Sequence, residues 1–175
     1  TKAAAAYGKI TAFERKCMEA SGIAAIETGA PINTHTSAGT CGLEQAELMI
    51  SLGVPAHQIA IGHIQYSDAI WYLTQILKTG VYLELDGTAR LKYQPEENRI
   101  REFRELGKAG YGQRLLLGTD SGKRSYQKAY GSTTGVDYTP AVDGPRMIDE
   151  GFERAYVEQL LMYNAQTFFT MRKDA

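Results

Sequence analysis

The chain has 175 residues, enough to bury a sizeable core and within the size of one domain. Its formal net charge is −1, with 19 basic and 20 acidic residues scattered along it, which removes the electrostatic footprint of a nucleic-acid binder. No apolar stretch is long enough to span a bilayer, residues 1–6 lack a signal-peptide pattern, and two cysteines make no disulfide framework, so the expectation is a cytoplasmic protein with reduced thiols.

Thr11-Ala12-Phe13-Glu14 is a capping box and predicts a helix to Thr28, stopped by Gly29, with Phe13, Cys17, Ala20 and Ala24 as its buried stripe. Residues 30–34 form a strand-like run that delivers His35. A second helix is expected over residues 42–52, with Leu43, Ala46, Met49 and Ile50 inward and Gly53 as its stop. Residues 58–62 are the next strand and deliver His63. Ser67 or Asp68 then caps a helix through Trp71, Leu73, Ile76 and Leu77 to Gly80, and residues 81–86 read as a strand. Pro95-Glu96-Glu97 opens a further helix, since proline and acids are favourable in a first turn, and Gly110 lies past its end.

Residues 114–120 close the series. Their unbroken apolar run reads as a strand buried on both faces, and it ends on Asp120. A carboxylate at the mouth of a buried strand is costly unless a metal, a cation or several donors compensate it. Residues 121–144, rich in Gly, Ser, Thr, Tyr and Pro, are too long for a connector and are expected to form a lid or binding loop. Residues 153–171 finish as helix, with Val157, Leu160, Leu161 and Phe168 as core.

Helix and strand thus alternate four times with short connections, which implies parallel strands joined by right-handed crossovers. The carboxyl ends of such strands carry chemistry, and here they hold His35, His63, Asp86 and Asp120. His57, in a polar turn before its strand, is read as an ordinary histidine. Imidazoles such as His35 and His63 suit zinc and similar divalent ions.

Four short motifs in order, Thr1-Lys2-Ala3 with Gly8-Lys9-Ile10-Thr11, Asn33-Thr34-His35-Thr36, Ile61-Gly62-His63 and Gly118-Thr119-Asp120, resemble the phosphotriesterase-like family of amidohydrolase-type barrels. The resemblance implies an α/β fold, a TIM-type (β/α)8 barrel of which only the C-terminal part, about strands 4–8, is present, with residues 1–175 as that portion of a single metal-dependent hydrolase. In the family, strands four, five, six and eight carry a lysine, two histidines and an aspartate as metal ligands. The resemblance therefore implies that Lys2, as a carboxylated lysine, His35, His63 and Asp120 bind metal. Asp120 would also be catalytic, taking the proton of a metal-bound hydroxide as that oxygen attacks the substrate. Two zinc ions are expected in the complete enzyme, with manganese or cobalt as alternatives.

The His-x-His pair of the family's first strand is absent from this sequence. A complete barrel of this type runs to roughly 250 residues, so a chain beginning on a ligand strand is expected to be a fragment. Alone it should hold at most the more exposed metal, through His35, His63 and Lys2.

The segment Gly118-Thr119-Asp120-Ser121-Gly122-Lys123-Arg124 superficially suggests a P-loop, but its glycine spacing is wrong and Arg124 replaces the metal-binding hydroxyl. Lys92, Lys123, Arg124 and Tyr126 instead resemble the anion-binding loop of family members that hydrolyse phosphorylated sugar lactones. The favoured activity is thus a phosphorylated-lactone hydrolase. The alternatives are an organophosphate triester hydrolase, which would want an apolar pocket, and an inactive structural remnant of the barrel. The expected partners are a small-molecule substrate, the missing N-terminal barrel strands and a second copy in a homodimer, without nucleic acid or membrane.

Overall fold

A computed structural model describes residues 1–171, so the last four residues of the expected single unit lie outside the described ones. Four parallel strands, β1 (Ile32–Asn33), β2 (Ile59–Gly62), β3 (Tyr82–Leu85) and β4 (Leu115–Leu117), stand side by side in sequence order. Asn33 lies opposite Ala60, Ala60 opposite Tyr82, and Leu83 opposite Leu115. Residues 1–5 run parallel to the outer side of β1: Lys2 pairs with Asn33, and the Ala3 and Ala5 amides donate to the Asn33 and His35 carbonyls at 3.2 and 3.1 Å. Helices α1 (Ala12–Thr28), α2 (Gly42–Ser51), α3 (Ile70–Lys78) and α4 (Glu96–Leu106) fill the crossovers. The architecture is a partial α/β barrel.

The alternation of side chains along each strand divides the sheet into two faces. Ile32, Ile59, Ile61, Leu83, Leu85 and Leu115 join the helices in the main core, with Met18, Met49, Leu73, Ile76 and Phe103 packed among them. Burying such a side chain fully contributes roughly 1.5–3 kcal/mol. On the other face Ala60, Tyr82 and Leu116 meet Phe168, whose ring lies 5.1 Å from that of Tyr82.

Phe168 arrives at the end of a helical tail. After α5 (Gly144–Asp149), helix α6 (Arg154–Glu158) continues through a wider π turn, Gln159–Tyr163, into α7 (Asn164–Phe169). Asn164 docks this tail beneath the sheet by donating to the Gly112 and Leu115 carbonyls at 2.8 and 2.7 Å. Val157, Leu160 and Phe168 are buried as the sequence predicts, and Leu161 is half-buried.

Three local expectations are corrected. The α1 capping box forms, but its buried stripe is Met18, Gly22 and Ala25; Phe13, at 76 % exposure, and Cys17 and Ala20 face outward. Both sides of α1 carry apolar residues, so periodicity could not choose between them, and Gly22 wins its side because Leu52 and Val54 pack directly onto its backbone. Ile50 of α2 is exposed, while Leu48 and Gln45 turn inward. Neither Ser67 nor Asp68 caps α3, which starts after Ala69. Asp68 instead ends a 3-10 turn, Ile64–Ser67, and its carboxylate accepts hydrogen bonds from Asn98 and Arg101 of α4.

Candidate active site

The carboxyl ends of the strands converge on one cavity of about 370 Å³. His35, His63 and Asp120 line it, facing Tyr66 and Tyr93. His35 follows from the alternation of β1, which directs Asn33 and then His35 away from the helices. His63 requires more. Ile59 and Ile61 point to the helices, so the next residue of that parity would follow them; a left-handed φ of 58° at His63 breaks the pattern. The ring then lies edge-on to that of His35, with centroids 4.6 Å apart. Asp120, likewise left-handed at φ 46°, closes the sequence of site residues. Such a conformation costs on the order of 1 kcal/mol in a non-glycine residue.

Two glycines make room for this arrangement. A Cβ on Gly62 would lie 2.4 Å from the Thr34 carbonyl oxygen, and one on Gly118 would lie 3.0 Å from the Asp86 Cβ. Any side chain at Gly62 would push the strands apart beneath the histidines.

Buried polar partners fix the rings. His63 Nδ1 meets Asp86 Oδ1 at 2.8 Å, and Gln65 Nε2 donates to the same oxygen at 3.4 Å. Burial works to lower the His63 pKa, but the Asp86 hydrogen bond and charge outweigh it, and the net shift is upward. Among the described residues His35 has no such partner; burial, then His63 and Lys2, hold its pKa down, so its imidazole is kept neutral. Beneath them Lys2 Nζ donates to Asn33 Oδ1 at 2.9 Å and to the Thr34 carbonyl at 3.0 Å, and Asn33 Nδ2 donates to Glu84 Oε2 at 2.5 Å. Burial, reinforced by the neighbouring Asp86, pushes the Glu84 carboxyl up to about 7.

Of the four sequence-predicted metal ligands, the structure brings His35, His63 and Asp120 to one cavity. Lys2 lies on the edge segment with its amine on Asn33 and Thr34. Among the described residues, no three His, Cys, Asp or Glu side chains are gathered closely enough to hold an ion between them. The adjacent imidazoles nevertheless fit a divalent ion in kind: His35 is neutral, and Asp86 occupies Nδ1 of His63 and leaves Nε2 free, the outer-shell support that metal-binding histidines use.

The cations among the four residues expected to bind an anion lie over three different rings. Lys123 Nζ lies 5.7 Å from the Tyr126 ring centroid, whereas the Arg124 guanidinium turns to Tyr130 at 4.2 Å and Lys92 stacks on Tyr93 at 4.6 Å. The cation closest to Tyr126 is Arg90, at 3.8 Å, a residue that sequence reasoning missed. Tyr66, the wall opposite the histidines, was missed too; burial pushes its phenol up to about 12, so it stays protonated. Neither residue stands in a motif or a periodic pattern, so only the fold could reveal them. Within residues 121–144, expected as a lid or binding loop, the chain forms short turns, Arg124–Tyr126, Lys128–Tyr130 and Thr139–Asp143.

The sequence pattern of the phosphotriesterase family matches residues 1–169. A phospho-furanose lactonase of Mycoplasmopsis synoviae is 36 % identical over 135 residues, covering 77 % of this chain and 38 % of its own. The crystal structure of a lactonase from Listeria monocytogenes superposes with a TM-score of 0.93 at 35 % identity, covering 98 % of this chain and 54 % of that one. The phosphotriesterase homology protein of Escherichia coli, solved with phosphate in its active site, gives a TM-score of 0.92 at 34 % identity, over 97 % of this chain and 58 % of that one. The chain thus spans about half the length of these solved relatives.

Proposed function

Because the chain belongs to the phosphotriesterase family, we propose that it forms part of a metal-dependent hydrolase that opens phosphorylated sugar lactones. The observation that carries this reading is the pair of touching imidazoles, one neutral and one anchored on Asp86, set beside Asp120 at the carboxyl ends of parallel strands. His35, His63 and Asp120, with Lys2 as its carbamate, are the residues of this chain that would hold divalent ions. Such ions, when bound, supply an acidified water and a Lewis acid for the reacting carbonyl.

The remaining roles belong to the protein. Asp86 fixes the His63 tautomer and ring plane. Asp120, exposed at the rim, is placed to accept a proton as the lactone opens. Tyr66 and Tyr93, tilted against each other with ring centroids 5.2 Å apart, would form a wall that restricts water. A phosphate on the substrate would be held at the loop by Lys123 and the Tyr126 hydroxyl, away from the reacting carbonyl, so that binding energy is used for orientation. A relative with phosphate in its active site favours this anionic class over a neutral triester.

The test is hydrolysis by the full polypeptide that contains this chain, loaded with zinc or manganese. A phosphorylated sugar lactone should be opened much faster than a neutral organophosphate triester, and a chelator should stop both. Preference for the triester, or activity untouched by chelation, would sink the proposal.

A further inference from the structure

We infer that Arg90 is a positioning residue for Asp120: its guanidinium, stacked on Tyr126, clamps the backbone turn that presents the Asp120 carboxylate to the cavity. Arg90 sits in the connection between β3 and α4, and only 9 % of it is exposed. Its Nη2 donates to the Thr119 carbonyl at 3.2 Å and to the Asp120 carbonyl at 2.6 Å. Its guanidinium carbon lies 3.8 Å from the Tyr126 ring centroid. One side chain therefore joins the β3 rim, the end of β4 and the start of the following loop.

The clamp acts where the backbone most needs one. Asp120 is left-handed at φ 46°, and its carbonyl also accepts the Gly122 amide at 2.8 Å. Rotating this peptide into a relaxed conformation would break both bonds together. The aromatic face fixes the plane of the guanidinium and shields it from water, so its N–H groups stay aimed at the carbonyls. Arg90 itself leans on a rigid base. Next to it, the Ala89 amide donates to Glu96 Oε1 at 2.5 Å and Thr88 Oγ1 to Asp143 Oδ2 at 2.9 Å, and both carboxylates bind the buried Arg99. A lysine has no planar group to lay on the Tyr126 ring, so its amine would not be held on the two carbonyls that Nη2 binds.

The inference rests on the reading of Asp120 as part of a hydrolytic site, and its first test does not. Backbone hydrogen exchange is measured on the full polypeptide for Arg90→Ala and Arg90→Lys. Exchange over residues 119–127 should quicken at least about tenfold in Arg90→Ala, while β2 stays protected. If β2 exchange rises as well, the alanine variant has lost its fold and Arg90→Lys decides, with the same local loosening expected. Unchanged exchange at residues 119–127 in a folded variant overturns the clamp.

The second test is kinetic. Arg90→Ala should lower kcat on the unphosphorylated lactone by about tenfold with little change in KM, because Asp120 serves the reacting carbonyl there and no phosphate contact takes part; the phosphorylated lactone, whose phosphate would meet Lys123 and Tyr126 in the same loosened segment, should lose at least as much. An unphosphorylated lactone opened at the parent rate, with the loss confined to the phosphorylated substrate, would mean that Arg90 serves the phosphate and not Asp120, and would overturn the positioning role. Local loosening in a protein whose parent form opens no lactone leaves the clamp standing and rejects the functional reading. Lactone hydrolysis with unaltered exchange does the reverse.

Discussion

His63 and Asp86 meet across the gap between β2 and β3, Nδ1 to Oδ1 at 2.8 Å, and the carboxylate that makes the contact is 4 % exposed. A buried carboxylate next to an imidazole takes the N–H on its side, so the other ring nitrogen carries the lone pair. The contact thus leaves the Nε2 lone pair of His63 available as an acceptor or metal ligand.

Replacing Asp86 with asparagine keeps the volume but offers an N–H to Nδ1, which reverses the tautomer. Affinity for zinc or manganese should fall about 10- to 100-fold, the usual cost of losing an outer-shell partner. Calorimetric titration of the full polypeptide checks it. Unaltered affinity in Asp86→Asn would show that His63 does not bind an ion through Nε2.

Arg99 is the largest fully buried side chain among the described residues, and it is held between Glu96 Oε2 at 2.5 Å and Asp143 Oδ1 at 2.9 Å. Asp143→Ala leaves Thr88 without its acceptor and Arg99 with half its compensation. Breaking a buried pair in this way destabilises by roughly 3–5 kcal/mol, because a charge is left in a poorly solvating interior. Urea unfolding should show a loss of that order; a change within about 0.5 kcal/mol, typical of surface substitutions, would mean that water reaches the cluster.

How much of this was legible in sequence depends on how far each feature reaches along the chain. The capping box of Thr11 and Glu14 spans four residues and forms as read, with Glu14 Oε2 accepting the Thr11 amide at 2.7 Å. The parallel order of the strands follows from alternating patterns, and the placement of His35, His63 and Asp120 on one cavity follows from that order. The buried face of α1 did not, since it is chosen by Leu52 and Val54 of the next unit and not by the pattern of α1 itself. Arg90 stayed invisible for a related reason: its acceptors lie 29 and 30 residues away, and nothing local marks them.

Glu102 of α4 is fully buried, and neither carboxylate oxygen has a hydrogen-bond partner. Burial, with Asp68 adding to it, pushes its pKa up to about 8. The unfolded chain releases this proton near the ordinary carboxylate value while the folded one keeps it, so stability falls as pH rises from about 4.5 towards 8. The total effect is roughly 5 kcal/mol. Glu102→Gln is neutral throughout and should abolish that slope, so that its advantage over the parent grows between pH 5 and pH 8 in urea midpoints. A constant difference between the two proteins across that range would rule out a protonated Glu102.

The last prediction separates two neighbours that sequence had joined. Lys123 and Arg124 are consecutive, but the turn at Arg124–Tyr126 sends them apart, Lys123 towards Tyr126 and Arg124 onto Tyr130. If the phosphate of the substrate lies at the loop beside Tyr126, Lys123 supplies a charge-assisted hydrogen bond to it and Arg124 does not. Such bonds contribute about 1.5–3 kcal/mol, which corresponds to roughly 10- to 100-fold in kcat/KM. Lys123→Ala should therefore lose that much on a phosphorylated lactone and little on its unphosphorylated counterpart, whereas Arg124→Ala should change either rate by less than about threefold, since it only frees the Tyr130 ring at an exposed position. The opposite ranking would show that the loop reorganises when substrate arrives, bringing Arg124 off Tyr130 and into the site.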